Sequence, residues 1–376
     1  MTDLKARLKG IEDVRAPDLW PRIERQRETF GHRPAGKRVA AAAVALLVAA
    51  AGTAYPVYLL LHRGGTQTPT APPGPRGNGL IAFTRSTASG EVIYVVRPDG
   101  SGMERLPLAG GQGSNFGRLA WSPDGRKLAI GVQSFLRSTI EIVNEDGSGL
   151  RDLFPPCFTN GSPCAWGPAW SPDGARIAYL GGIDARVDGQ AIFVINANGR
   201  GRHLLLRCAP PTCREFDGPP AWSPDGKFLA VGITEPDLSG GIYLLRADGT
   251  DLHRITHCIS KLCLAGVRDQ DPAWSPMGAE IVFSRERNLY AVHPNGFGLR
   301  KLTDCPAADH FISCTADTPA WAPDGTRIAF TLAQGAIFLI NADGTGMHRL
   351  TPSPSGLGEG DCCPAWQAVD MARRPH

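Results

Sequence analysis

From Gly79 to Trp366, short apolar runs recur and are bounded by turn residues. One set follows a tight turn: LAIGV (128–132), IAYL (177–180), LAVGI (229–233), IVFSR (281–285) and IAFTL (328–332). A second set leads into a Gly-containing turn, as in IEIVNEDGSGLRDL, IFVINANGRGRHLL, IYLLRADGTDLHRI, LYAVHPNGFGLRKL and IFLINADGTGMHRL. Runs this short, flanked by Gly, Pro, Asn and Asp, predict β-strands rather than helices. A further short strand ends in Trp at Trp121, Trp170, Trp222, Trp274, Trp321 and Trp366.

These parts form a repeat. AWSPDG occupies 120–125 and returns at 169–174 and 221–226, then as AWSPMG at 273–278 and AWAPDG at 320–325. In SPDG, Pro sets φ for a type I turn and Gly takes the left-handed position after it, which closes a hairpin between a first and a second strand. The later DG or NG closes a hairpin between the third and fourth strands. Four strands joined in this way make one propeller blade. Residues 80–106 supply three strands with no Trp strand before them, and CCPAW (362–366) supplies a Trp strand with nothing after it. The fragments complement each other. The predicted fold is all-β: a six-bladed β-propeller over 79–367 whose N- and C-terminal strands share one blade. The six Trp residues are expected to pack between neighbouring blades.

The recurring PAWSPDG-x-x-ϕAϕ pattern, with ϕ apolar, resembles the TolB-type, WD-like six-bladed propellers over residues 79–366. The resemblance implies an extracytoplasmic propeller that binds proteins or peptides through one face and the channel. The same blades occur as non-catalytic domains of prolyl-oligopeptidase-like peptidases. The chain departs from TolB in having an apolar segment in place of an α/β domain, and in its Cys-rich loops.

That segment, residues 39–61, runs for 23 residues without a charge, long enough to cross a hydrocarbon core of about 30 Å. Residues 1–38 carry ten Lys/Arg against six Asp/Glu, with Arg33, Lys37 and Arg38 at the edge. Retained positive charge places the N-terminus inside. The expected organisation is a cytoplasmic tail (1–38), a transmembrane helix (39–61), a Gly/Pro-rich linker (62–78), the propeller, and a tail (368–376). A signal peptide cleaved near Ala51 or Ala54 is the competing reading. In the tail, Leu19, Trp20 and Ile23 have helical spacing among charges, as a docking motif would. The arrangement faintly resembles membrane-anchored regulators such as anti-sigma factors, so a sensor signalling through 1–38 is a further reading; an orientation signal facing anionic lipid is the simpler one.

A net charge of +3 in 376 residues does not point to nucleic acid. None of the ten cysteines precedes residue 157, which suits an oxidising compartment. They fall in local pairs between blades: Cys157/Cys164, Cys208/Cys213, Cys258/Cys263, Cys305/Cys314 and adjacent Cys362/Cys363. Loop stapling explains the first four, since their spacings match neither zinc nor thioredoxin motifs. Cys362 and Cys363 form either a strained, reducible vicinal bridge or bonds elsewhere. The stapled loops share a face with variable connections such as TEPDLSGG (234–241), and binding uses such loops.

On that face Phe116, Phe158, Trp166, Phe216 and Phe311 are candidate contact residues. Trp166 lies outside the Trp register and also suits packing beneath its own loop. Asp217, Asp271, Asp317 and Asp361 precede Trp strands and are expected near the channel mouth. There they would hold a cation such as calcium or simply cap loops. His253 and His257 are about 13 Å apart on a strand, too far to chelate. No G-x-S-x-G, H-E-x-x-H or P-loop motif is present. The function expected is non-catalytic binding of a protein, peptide or envelope polymer. The alternative is a metal-dependent, lactonase-like channel hydrolase.

Overall fold

The computed structural model describes residues 76–87, 90–108, 115–133, 138–156, 165–184, 187–209, 213–257, 268–305, 315–332, 335–352 and 360–370. The tail, the apolar segment 39–61 and residues 62–75 lie outside these.

Six antiparallel sheets are present, each ordered from an innermost to an outermost strand. Blade 1 comprises Gly360–Asp370, Arg76–Thr87, Gly90–Val96 and Glu104–Arg105. Blade 2 comprises Asn115–Trp121, Lys127–Gln133, Ser138–Asn144 and Arg151–Asp152. Blade 3 comprises Trp166–Trp170, Arg176–Asp184, Val187–Asn196 and His203–Arg207. Blade 4 has its inner strand in two pieces, Glu215–Phe216 and Ala221–Trp222, then Phe228–Thr234, Gly240–Arg246 and His253–Arg254. Blade 5 comprises Asp269–Trp274, Ile281–Arg285, Asn288–Val292 and Arg300–Lys301; blade 6 comprises Ala316–Trp321, Arg327–Leu332, Ala336–Asn341 and His348–Arg349. The inner strands touch one another cyclically, so the ring is closed.

The C-terminal strand completes the N-terminal blade, as the split repeat requires. Ile81 pairs with Trp366 and Ala82 with Ala365. The pairing runs further than expected, out to Arg76 opposite Asp370, so residues 76–78 belong to the blade rather than to the linker. The other blades must turn after Trp. Here the two strands come from opposite ends of the chain and can simply extend.

The apolar core is divided among the blade interfaces. Trp121 packs with Ala82, Ile93 and Val95 of blade 1. Trp170 packs against Ile140 and Ile142 of blade 2. Trp222 meets Leu180 and Ile192 of blade 3, and Trp274 packs against Ile242 and Leu244 of blade 4. Trp321 meets Val282 and Leu289 of blade 5, and Trp366 meets Ile337 and Leu339 of blade 6. Each Trp therefore covers the preceding blade. Three of them add a polar tie: Trp170, Trp222 and Trp321 donate Nε1–H to the carbonyls of Ala120, Ala169 and Ala273, at 3.1, 3.2 and 3.2 Å. A single sheet exposes both faces, and stacking buries them.

The tight turns have the expected chemistry. Gly125 donates to the Ser122 carbonyl at 2.8 Å, and its φ of 71° is a conformation that a Cβ disfavours. Ser122 Oγ donates to Asp124 at 2.6 Å, and Ser223 to Asp225 at the same distance.

Candidate functional site at the loop-face mouth of the channel

In five inner strands the register slips just before the Trp. In blade 5, Asp271 and Pro272 together oppose Phe283 alone, and in blade 6 Thr318 and Pro319 oppose Phe330. Two residues against one is a β-bulge, which bends a strand and re-aims a side chain. The bulged residues include non-glycines with positive φ: Asp271 at 55°, Thr318 at 53° and Cys363 at 63°. Pro fits beside them because a bulge needs no ladder N–H.

The bulges build the site. Arg118 of blade 2 donates Nη2–H to Asp271 Oδ1 of blade 5, which lies opposite it in the ring. The pair therefore bridges the channel. Asp271 also donates its N–H to the Asp217 carbonyl of blade 4 at 3.1 Å. Gly218 makes room for this carboxylate, since a Cβ there would fall 2.2 Å from Asp271 Oδ1. Asp317 of blade 6 stands in the same electrostatic neighbourhood. Burial pushes its pKa up to about 6; the Arg118 charge opposes the rise and the Asp271 charge adds to it. Thr318 and Thr331 share a hydroxyl hydrogen bond of 2.7 Å, and Thr331 Oγ1 accepts from the Cys363 N–H at 3.2 Å, tying blade 6 to blade 1.

The predicted carboxylates separate by strand position. Asp361 stands five residues before its Trp, the position that holds Phe116, Ala165 and Ala316 in other blades; in blade 4 the equivalent pairing is made by Phe216, and Asp217 follows it between the two pieces of the inner strand. Phe116, Ala165 and Ala316 are buried core residues, so this position faces the neighbouring blade. A carboxylate placed there needs a partner. Asp361 takes a fork from Arg85, at 2.5 and 2.8 Å. Asp217 accepts from Thr234 and, at 3.3 Å, from Arg268, which also bonds Glu215. Burial raises the Asp217 pKa, against the pull of Thr234 and Arg268. Asp269 occupies in blade 5 the position of Asp361, with two Arg285 hydrogen bonds and one from Thr256, each 2.5 Å. Asp217 and Asp361 thus take separate partners, while Asp271 and Asp317 share the field of Arg118. Among the described residues no group of three His, Cys, Asp or Glu stands close enough to hold a metal ion.

The aromatic candidates also differ from expectation. Phe116 and Phe216 are 4% and 3% exposed and fill blade interfaces, so neither ring presents a surface to a partner. Their side of the inner strand faces the preceding blade, not solvent. Trp166 is partly buried against the interface of blades 3 and 4; the loop before it, 157–164, lies outside the described residues. Phe158, Phe311, Cys157, Cys164, Cys258, Cys263 and Cys314 lie outside the described residues. Cys208 and Cys213 are bonded, with Cα atoms 5.0 Å apart, and are buried between blades 3 and 4. Cys305 is buried and disulfide-bonded. Cys362 and Cys363 bond each other.

Arg118, Glu215, Arg268 and Asp269 were not singled out in the sequence. The signal for Arg118 was its place three residues before Trp121, aligned with Gly167, Pro219, Asp271, Thr318 and Cys363.

Comparison with solved structures matches this architecture to TolB from Acinetobacter baumannii, with a TM-score of 0.59 and 18% identity over 77% of this chain and 66% of that one. The chain has the TolB-type six-bladed propeller fold. A TolB-type protein from Agrobacterium tumefaciens matches at 0.53 and 19% identity, over 78% of this chain and 100% of that one. A chain of a nidogen/laminin complex matches at 0.56 and 10% identity, over 77% and 98%. No protein-family model matches the sequence.

Proposed function

We propose that this chain is a membrane-anchored, extracytoplasmic propeller that binds a protein, peptide or envelope polymer on its loop face. The observation that carries the reading is the unlikeness of the two faces. One is closed by repeated Ser-Pro-x-Gly turns. The other is assembled from non-repeating connections, among them Glu235–Ser239, where a 2.7 Å backbone bond closes a turn that exposes Leu238. The Cys208–Cys213 bridge holds that rim, and the Arg118–Asp271 pair bars the channel beneath it. A rigid rim above a barred channel suits surface recognition. Around Leu238 the rim offers charges in partnered sets, Glu235 with Arg254 and Glu215 with Arg268. The nidogen/laminin match adds a propeller of this fold found in a protein complex.

The test is affinity capture from the native envelope with the full chain, oxidised against reduced, and with Leu238→Ser and Arg268→Ala. A partner retained by the oxidised protein and lost from the variants supports the reading. Equal retention by all forms would move the working surface elsewhere.

A second reading is a channel-site hydrolase. It is favoured by Asp317, a partly buried carboxylate with its pKa pushed up to about 6 beside Asp271 and Arg118, the setting in which an acid serves proton transfer near neutral pH. Hydrolysis of ester or lactone probes that disappears in Asp317→Asn, whose fold is checked by melting, would replace the binding reading.

A further inference from the structure

We infer that the turn face of blade 5 rests on the lipid surface, with Met277 and Phe297 entering the interface of the bilayer. This rests on the anchor reading of residues 39–61 given above.

The observation is a local break in the repeat. At the tip of the first turn, four blades carry Asp124, Asp173, Asp225 and Asp324; blade 5 carries Met277. At the tip of the second turn, the others carry Ser101, Ser148, Arg200, Thr250 and Thr345; blade 5 carries Phe297. Met277 is 87% exposed and Phe297 74%, and Leu299 and Met347 are exposed on neighbouring stretches of blades 5 and 6. The two turns are linked, since His293 Nδ1 meets the Ala279 carbonyl at 2.9 Å. Blade 6 abuts them, with Arg300 Nη2 donating to the Ala342 carbonyl at 2.9 Å. Two polar tips have thus become apolar in one blade, with no packing partner to account for it.

The position where the first strand begins identifies the occupant. Asn78 donates Nδ2–H to Asp324 Oδ2 at 2.7 Å, so the first strand begins on the turn face, at blade 6's first turn. That turn's Gly325 lies beside Pro276 of blade 5, where a Cβ would come within 3.8 Å. The apolar tips therefore stand next to the point where residues 62–75 join the propeller. Fourteen residues, HRGGTQTPTAPPGP, separate that point from the uncharged segment, a reach of at most about 50 Å. With residues 39–61 in a bilayer, the tether would leave the propeller from its turn face rather than its loop face. Tethering makes even a weak contact effective, because the second binding event is intramolecular. Shallow entry of a few apolar side chains is how interfacial contacts form. A second copy is the poorer fit, since a stable dimer needs about 800 Å² per partner and two turn tips present a fraction of that.

The experiment uses the full chain in phosphatidylcholine vesicles, with or without a brominated acyl chain. A Trp probe is placed at the patch in Phe297→Trp, or in Met277→Trp as a second variant, and on the opposite face in Leu238→Trp. Wild-type emission supplies the background. The expected result is that brominated lipid removes emission added at 297 and 277, and spares that added at 238. Retention of the chain in the membrane after alkaline carbonate, with all three probes unquenched, would overturn the inference and leave the anchor reading standing. Release by carbonate would overturn the anchor reading and the inference with it. Unquenched probes with a dimer mass abolished by Phe297→Ser would assign the patch to a second copy and overturn the lipid assignment.

Discussion

Arg118 and Asp271 meet across the channel, from opposite blades and 153 residues apart in sequence. The pair is largely buried, its side chains 22% and 9% exposed. It also sets the charge felt by Asp317. One guanidinium therefore faces two carboxylates.

Removing one member leaves the other charge in a poorly hydrated place. Arg118→Met is expected to destabilise the propeller by roughly 3 kcal/mol, read as a drop in the urea midpoint at pH 7. Arg118→Met with Asp271→Leu should recover much of that, because an apolar pair carries no unbalanced charge. A double variant no more stable than Arg118→Met would mean that the bridge is not what the single change breaks.

Asp317 makes stability depend on pH. Its pKa rises from 3.8 to about 6 on folding, so between those values the folded chain holds a proton that the unfolded chain has lost. Stability must then fall as pH rises through that window and level off above it. The cost of ionising it in the fold is roughly 2–3 kcal/mol. Asp317→Asn removes the effect, so the variant's advantage over wild type should grow from pH 4 to about 6 and then stay constant. A flat difference across that range in denaturation midpoints would show that Asp317 ionises freely. In Arg118→Met the fall should extend to higher pH, since Arg118 holds the value down.

The Trp residues are not equivalent. Trp222 donates to Ala169 and lies under Arg176 at 4.8 Å, whereas the buried Trp274 Nε1 has no acceptor among the described residues. Trp222→Phe should cost about 1 kcal/mol more than Trp274→Phe, because only the first loses a hydrogen bond. Replacement of either by Ala should cost about 3–5 kcal/mol. Thermal and chemical unfolding of the four variants measures both differences.

The Cys208–Cys213 bridge closes a short loop between blades 3 and 4. Cys208→Ser with Cys213→Ser should lose roughly 2 kcal/mol, and the loss should be absent when both proteins are compared under reducing conditions. A variant equal to oxidised wild type would mean that burial alone holds this rim.

The architecture was readable because its signals are local and repeated. A Pro-Asp-Gly turn closes its hairpin wherever it stands, and a Trp recurring once per blade has one place to pack. The blade number followed from counting units and noticing that residues 80–106 and 362–366 are halves of one. Much of the site was not readable, because its geometry depends on bulges and on ring closure. Their shared place shortly before a Trp makes Asp217, Asp271, Asp317 and Asp361 look alike in the sequence. The bulge sends Asp271 toward the channel, whereas Asp361 lies across its own sheet from Arg85 and Asp217 takes Arg268 from just before the inner strand of blade 5. The same alternation buried Phe116 and Phe216. Arg118 could find Asp271 only once six blades had closed, and Met277 could stand near the beginning of the first strand only because that strand lies against blade 6. Sequence alone determined the blades and the residues that pack them, since each is specified within a few dozen residues. Tertiary structure decided which charges meet and which apolar side chains are left exposed, since those relations hold between blades far apart in the chain.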